Sequence, residues 1–216
     1  MTRNFNDLMV FLRSFDFRPG TVIDVGVAWG TPPLYQAFPE AYLVLIEALP
    51  YFEPHLKNII GTRPGEYHLT AVAAERGEAE FAIPEDTQAL AGASLLYAQK
   101  GGELKYKVPI ALLDDICDPA RLEGPILLKT DAQSADLDVL RGAERLLQAV
   151  EVVVVEANVS GRVNLLPDIC AHMTARGFRL FDLVDLVYRP SDQALGQLDA
   201  AFVREDSKSV AHRGWR

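Results

Sequence analysis

Apolar residues along the chain recur in two patterns, as short continuous runs and as longer segments with helical spacing. The short runs predict strands, because about four to eight β-branched or aliphatic residues bounded by turn residues suit a buried strand. These strands are expected at Thr21–Val25, Tyr42–Ile46, Tyr67–Ala73, Glu78–Ile83, Val108–Leu113, Ile126–Asp131, Glu151–Val155, Phe178–Phe181 and Ala200–Val203. Glu151–Val155 is the most β-branched run, so we expect a central strand buried on both faces.

The segments with helical spacing predict the connections between those strands. Helices are expected over Phe5–Phe17, Tyr51–Ile60, Ala135–Leu147 and Leu165–Arg176, with a further helix opening at Pro32-Pro33 and Gly177 at the C′ position of the last one. Phe5–Phe17 has two interpretations, a helix that covers the sheet edge or a lid over a pocket. Pro84–Gly102 is expected to be a loop. Because strands and helices alternate from residue 21 to 176, the pattern predicts an α/β protein with a mainly parallel sheet flanked by helices.

The turn after the first strand is the candidate binding site. Asp24 lies near the end of that strand, Gly26 and Gly30 follow in a G-x-x-x-G pattern, and Glu47 ends the second strand. In parallel α/β sheets, ligands bind at the carboxyl ends of the strands, and an acidic residue about 20 positions beyond the turn reaches ribose hydroxyls. The pattern therefore predicts a cofactor that contains a ribose.

Two cofactor classes use such a turn, and the residue types separate them. A dinucleotide requires G-x-G-x-x-G so that backbone amides can approach a pyrophosphate. Here bulky Trp29 precedes Gly30, Pro32-Pro33 lack N–H donors, and Asp24 would repel phosphates. S-adenosylmethionine carries a sulfonium and an ammonium instead, so an acidic strand end favours it. An NAD(P)-linked dehydrogenase and a non-catalytic cofactor-binding protein of the same fold are the alternatives.

Composition limits the classes of partner that the protein is expected to bind. The 216 residues are 49% hydrophobic and 24% charged, with a formal net charge of -9. That balance disfavours nucleic acid and anionic membranes, which are bound through Lys and Arg. No signal peptide or membrane-spanning run is expected, and Cys117 and Cys170 suit reduced thiols, so we expect a cytoplasmic protein. The oligomeric state is left open.

The sequence also resembles a known family, the FkbM S-adenosylmethionine-dependent methyltransferases, from about residue 20 to 204. The segments that carry the resemblance are Thr21–Thr31, Ile46–Ala48, Val72–Ala73, Val108–Asp115, Leu127–Glu144, Glu151–Glu156 and Gly177–Val203, of which Leu127–Glu144 is the most specific. The resemblance implies a Rossmann-like class I methyltransferase fold, a mostly parallel seven-stranded sheet whose last strand is antiparallel. It also implies methyl transfer to a hydroxyl, here expected on a small molecule such as a sugar or natural product. The chain length favours one domain over residues 1–216, with a helical extension (1–18) and a polar tail (205–216).

By the same resemblance, a set of positions would contact the cofactor. They are Asp24, Gly26, Val27, Ala28, Gly30, Glu47, Ala48, Ala73 and Asp131. Asp24 and the glycines would line the methionine end, Glu47 the ribose and Ala73 the adenine. The family commonly has Asn in place of Ala28, Gly in place of Ser134 and Glu in place of Asp136.

Candidate catalytic residues lie at the ends of two later strands. Asp131 is placed to be a general base or to cap the following helix, and Glu156 has the same two interpretations. Lys129 shares a strand face with Asp131, so it is either catalytic or the salt-bridge partner of that aspartate.

Three further residues are candidate contacts for the acceptor. They are Gln133, Asn158 and Trp29, the last of which would otherwise pack in the core. Carboxylates near Gln133 could supply oxygen ligands to a divalent cation, but their spacing is not diagnostic, and no metal is predicted.

Overall fold

The structure is a computed structural model in which residues 2–83 and 104–210 are described. The expected loop Pro84–Gly102 and the last six residues of the tail lie outside the described residues.

In the two described stretches, 2–83 and 104–210, ten strands form two sheets. They are β1 (Thr21–Val25), β2 (Tyr42–Glu47), β3 (Gly65–Leu69), β4 (Ala71–Val72), β5 (Gly77–Ile83), β6 (Leu104–Ala111), β7 (Ile126–Thr130), β8 (Val150–Asn158), β9 (Phe178–Tyr188) and β10 (Leu195–Arg204). The main sheet has the order β3-β2-β1-β7-β8-β10-β9, and a smaller sheet has the order β4-β6-β5. The first five strands of the main sheet are parallel, and β10 is antiparallel to both of its neighbours. This arrangement confirms the predicted fold, with the last strand antiparallel.

Helices cover both faces of the main sheet. They are α1 (Phe5–Arg13), α2 (Pro32–Ala37), α3 (Glu53–Ile60), α4 (Leu113–Ile116), α5 (Asp136–Arg141) and α6 (Leu166–Thr174). Leu8, Leu34 and Leu56 from the first three helices pack in the core on one face of the sheet. The last three helices pack in a second core on the opposite face. Both faces of β8 are therefore covered, as its β-branched sequence predicted.

The N-terminal helix is shorter than predicted and ends at Arg13. It begins with a capping box, in which the Asn4 side chain accepts from the Asp7 N–H and the Asp7 carboxylate accepts from the Asn4 N–H. The helix packs against α2 and β9, and Phe5 at its start reaches the cavity described below. The helix therefore covers the sheet and also contributes one wall of the site.

Two further predicted elements have different boundaries in the structure, and contacts in the structure explain both differences. Tyr67–Ala73 is two strands in different sheets, because the chain turns away at Thr70, whose hydroxyl donates to the Pro109 carbonyl. The predicted helix Ala135–Leu147 is shorter in the structure and ends at Arg141. A separate 3-10 turn follows over Leu146–Gln148. The helix stops there because the Asp114 carboxylate accepts from the backbone N–H groups of Arg145 and Leu146.

The two final strands are much longer than predicted, at 11 and 10 residues. Asp182, Asp185 and Asp199 interrupt the apolar patterns of these two strands. The sequence therefore predicted only their apolar segments, Phe178–Phe181 and Ala200–Val203. Asp185 lies in an irregularity of the pairing and has a positive φ of 48°. Gly177, predicted at C′, has a φ of +78°.

Candidate functional site

Strand register gathers charged side chains on one face of the main sheet. Asp24 of β1 pairs with Lys129 of β7, and Lys129 pairs with β8 two positions before Glu156. Glu156 in turn pairs with Asp199 of β10. Because side chains two apart share a face, these residues and Asp131, just after β7, lie on the same side near the carboxyl edge. We call Asp24, Asp131, Glu156 and Asp199 the acidic row.

The turn after β1 requires glycine at its first position. Gly26 has a φ of +77°, and a Cβ built there would lie 1.9 Å from the carbonyl oxygen of Asp131. The Gly26 N–H donates to the Ile46 carbonyl at 2.9 Å, and the Asp131 N–H donates to the Val25 carbonyl at 3.0 Å. Gly26 therefore lets the ends of β1 and β7 approach each other, as the glycine pattern led us to expect.

Glu47 braces the loops that follow β1 and β2. One carboxylate oxygen accepts from the Ala28 N–H and the other from the Leu49 N–H, each at 2.8 Å. Burial raises the pKa of Glu47. Ala28 has a φ of 43°, a conformation that asparagine tolerates better than alanine. The family's preference for Asn at this position therefore has a conformational explanation.

A cavity of about 420 Å³ opens beside the turn. It is lined by Phe5, Gly26, Val27, Ala28, Trp29, Gly30, Thr31, Pro32, Pro33, Lys129, Asp131, Gln133 and Asp199. Most of the predicted site residues are thus brought together. Asp24, Glu47, Ala48, Ala73, Glu156 and Asn158 are not among the lining residues.

Lys129 lies beneath the cavity as an ion-pair partner. Its ammonium is 3.3 Å from Asp24 Oδ1 and 3.5 Å from Asp131 Oδ2. Burial alone would lower the pKa of Lys129, but Asp24, Asp131 and Asp199 outweigh burial and raise it. The Tyr35 hydroxyl donates to the other oxygen of Asp24 at 2.5 Å. These contacts favour the salt-bridge interpretation of Lys129. They also engage both oxygens of the Asp24 carboxylate within the protein.

Asp131 and Glu156 interact directly. Gln133 Nε2 donates to Asp131 Oδ1 at 3.1 Å, and the carboxyl group of Glu156 lies close enough to Asp131 for the two groups to interact electrostatically. Burial and the nearby Asp131 and Asp136 raise the pKa of Glu156 far above its usual range.

Asp136 faces the interior and organises the loop after β7. Its carboxylate accepts from the Thr130 hydroxyl, from the Ala132 N–H at 2.8 Å and from Asn164 Nδ2 at 3.1 Å. Burial raises the pKa of Asp136 to about 6. The loop that it holds contains Gln133 and Ser134, with φ values of 49° and 77°. Glycine in place of Ser134, as in the family, would adopt this conformation without strain.

Asn158 ties two loops together and does not line the cavity. Its Nδ2 donates to Ser134 Oγ at 3.3 Å and to the Val163 carbonyl at 3.2 Å. Its predicted contact with the acceptor stays a prediction.

Trp29 is 47% exposed and lines the mouth of the cavity. Its ring packs edge to face against Phe52 and His55, at centroid distances of 5.1 and 4.5 Å, and against Tyr51 at 6.0 Å. Trp29 is therefore a wall of the site rather than a core residue.

Outside the turn after β1 and its helix start, sequence reasoning missed two lining residues, Phe5 and Asp199. Asp199 is a charged residue within the otherwise apolar strand Leu198–Val203, and that interruption was the available signal. For Phe5 the signal was the possible lid over Phe5–Phe17, but its position at the cavity depends on how α1 packs against β9. The N–H of Phe5 donates to Asp185 Oδ2 at 3.0 Å, which fixes the start of the helix at the cavity.

Residues 2–83 and 104–210 contain no group of three or more His, Cys, Asp or Glu side chains arranged to hold a metal ion. They also contain no helix with the length and apolar character needed to cross a bilayer. The absence of a metal in the reaction stays a prediction.

Comparisons with solved structures match this fold. A protein of the NADB-Rossmann superfamily from Streptococcus agalactiae is 12% identical, with a TM-score of 0.50, over 100% of this chain and 73% of that one. Magnesium protoporphyrin IX methyltransferase from Synechocystis with bound S-adenosylmethionine is 13% identical, with a TM-score of 0.47, over 92% and 77%. No curated protein sequence matches the chain.

The comparison with family models is decisive for the class of protein. The methyltransferase FkbM domain matches residues 24–180, which spans most of the chain, from Asp24 in the first strand into the ninth. This match confirms the expected methyltransferase class and its cofactor, S-adenosylmethionine. The chain belongs to the FkbM family of S-adenosylmethionine-dependent methyltransferases.

Proposed function

We propose that the protein methylates a hydroxyl oxygen of a small molecule in the cavity beside Gly26. The observation that carries the proposal is the acidic row, which places Asp131 and Asp199 in the cavity wall above Lys129. Within the described lining residues, Lys129 is the one basic side chain. An excess of carboxylates favours a cationic ligand, because opposite charges attract more strongly in a partly buried site.

The residues present fit S-adenosylmethionine. The cavity lining from Gly26 to Gly30 would hold the methionine end. Glu47 lies at the end of β2 and has a second lone pair on each oxygen for ribose hydroxyls, beside its two backbone hydrogen bonds. Ala48 and Ala73 would border the adenine.

When bound, the cofactor supplies an activated methyl group, and the protein supplies position and a route for the acceptor's proton. Asp131 lies in the cavity wall with its orientation fixed by Gln133 and Lys129. In this proposal Asp131 holds the acceptor hydroxyl, and Lys129 and Glu156 beside it position Asp131. The role of each residue follows from its contacts.

The acceptor is inferred from the walls of the cavity. Trp29 and Phe5 present apolar surfaces, and Gln133 with the carboxylates presents hydrogen-bonding groups. A small polyhydroxylated or partly apolar alcohol suits both kinds of surface. A nucleic acid does not suit them, because phosphates would meet the acidic row.

The first test uses calorimetry with the wild-type protein. S-adenosylmethionine should bind, and NAD⁺ at the same concentration should give no heat of binding. Binding of NAD⁺ without binding of S-adenosylmethionine would overturn the proposed function.

The second test follows a tritiated methyl group from S-adenosylmethionine. The acceptors offered are methyl glycosides, phenols, primary amines, thiols and transfer RNA. Labelled ethers from the hydroxyl compounds would support the proposal. Label confined to amines, thiols or RNA would contradict it.

A further inference from the structure

Asp199 has a position that none of the predicted roles uses. It lies on β10, next to Glu156 across the strand pair, and its side chain lines the cavity together with Asp131. It shares this wall with Lys129, the cation of the site. Asp199 is thus within reach of whatever occupies the cavity.

The other carboxylates of the site are already engaged. Asp24 is held by Tyr35 and Lys129, and Asp131 by Gln133 and Lys129. Among residues 2–83 and 104–210, no donor forms a hydrogen bond with the carboxylate of Asp199. A polar group in a cavity wall without such a partner is available to a ligand.

We propose that Asp199 is the counter-ion of the cofactor's sulfonium and then accepts the proton of the acceptor hydroxyl. This inference rests on the proposed function. The acceptor oxygen forms a bond to the methyl carbon, and the carbon–sulfur bond breaks with its electron pair going to sulfur. The hydroxyl proton passes to an oxygen of Asp199. The positive charge of the sulfonium and the negative charge of Asp199 therefore disappear together, and the net charge of the site does not change.

The surroundings of Asp199 favour its role as a group that loses and accepts a proton. Burial raises its pKa to about 7, with Asp131 and Asp185 adding to the rise and Lys129 opposing it. The charged groups that face it from neighbouring elements are Lys129, Asp131, Asp136, Glu156 and Asp185. A base with a pKa near the working pH can both lose and accept a proton readily.

The experiment compares S-adenosylmethionine with S-adenosylhomocysteine, which differ in the methyl group and its sulfonium charge. Calorimetry at pH 6.5 in two buffers of different ionisation enthalpy counts the protons released on binding. In the wild type, S-adenosylmethionine should release about half a proton to one proton more than S-adenosylhomocysteine, since the sulfonium favours ionised Asp199. The methionine amine is common to both ligands, so it cancels.

Asp199→Asn should abolish that difference in proton release. It should also weaken binding of S-adenosylmethionine about ten-fold at pH 8, while binding of S-adenosylhomocysteine changes less than about two-fold. Asp199→Ser repeats the test if the asparagine variant does not fold. Asp206→Asn is the matched control, because Asp206 is exposed, pairs with Arg204 and lies outside the cavity; it should behave as the wild type does.

The outcomes separate the two claims. If the wild type binds neither ligand, the proposed function and this inference both fail. If both ligands bind and the variant of Asp199 keeps the wild-type difference in protons, only the assignment of Asp199 is overturned. The same holds if the variant weakens both ligands equally.

Discussion

Replacing Gly26 with alanine should disrupt the site more than the backbone conformation of that residue alone explains. Gly26 and Gly177 have nearly the same φ, +77° and +78°. At Gly26 an added Cβ would lie 1.9 Å from the Asp131 carbonyl oxygen, whereas at Gly177 no atom lies within 4 Å. Gly177→Ala is therefore a matched control that carries the conformational cost without the collision.

The magnitudes follow from these two environments. Alanine at a positive φ costs about 1 kcal/mol, so Gly177→Ala should lower the free energy of unfolding by about that amount. At Gly26 the Asp131 carbonyl must move by more than about 1 Å to restore an ordinary contact of about 3.3 Å. That movement strains two backbone hydrogen bonds, Gly26 to Ile46 and Asp131 to Val25, which contribute about 1 kcal/mol each. Gly26→Ala should therefore cost about 3 kcal/mol.

Urea unfolding of the wild type and both variants, followed by circular dichroism, measures the difference. The close-approach argument predicts that Gly26→Ala loses about 2 kcal/mol more than Gly177→Ala. Equal losses in the two variants would refute it, because the ends of β1 and β7 would then not be in the contact described.

Three further predictions use the same unfolding measurement. Ala28→Gly and Ser134→Gly should each stabilise the protein by about 0.5 kcal/mol, since both positions have positive φ; a loss at either would contradict this explanation. Asp136→Ala should lower the free energy of unfolding by about 3 kcal/mol, because three donors lose a buried acceptor. Asp138→Ala, at an exposed position, is the control and should cost under about 1 kcal/mol. Equal costs for the two variants would contradict this prediction. The pKa of Asp199 is raised from 3.8 to about 7 on folding, so its protonated form stabilises the protein at low pH and that stability is lost as pH rises towards 7. Asp199→Asn should thus be more stable than the wild type at pH 8, by up to about 4 kcal/mol, but not at pH 4; the same difference at both pH values would rule this out.

Much of the fold follows from local sequence patterns. Thr21–Val25 was predicted with its observed bounds, because an apolar run between two turns has few other solutions. The errors fall where distant contacts decide the structure. The end of α5 depends on Asp114, which is about thirty residues away in sequence, and no local pattern indicates that hydrogen bond.

The site was predictable in its chemistry and less so in its geometry. The glycine turn, Asp131 and Lys129 were identified from residue types at strand ends, and they lie together in the cavity. Asp199 was missed because β10 is the last strand in the chain yet pairs with β8 near the centre of the sheet. Topology of this kind is not readable from the spacing of residues along the chain.

Ala28 and Ser134 are two of the three positions at which the sequence departs from the family. Both residues have positive φ, and the loops that contain them are held by hydrogen bonds to Glu47 and Asp136. The family residues at these positions, Asn and Gly, adopt this conformation more easily, so the departures bear on stability first.

The position of the cofactor is the central claim, and a crystal structure of the complex with S-adenosylhomocysteine tests it most directly. The account predicts the sulfur in the cavity bounded by Gly26, Asp131 and Asp199, with the ribose hydroxyls at Glu47. A ligand bound elsewhere, or one whose sulfur lies away from the acidic row, would contradict it.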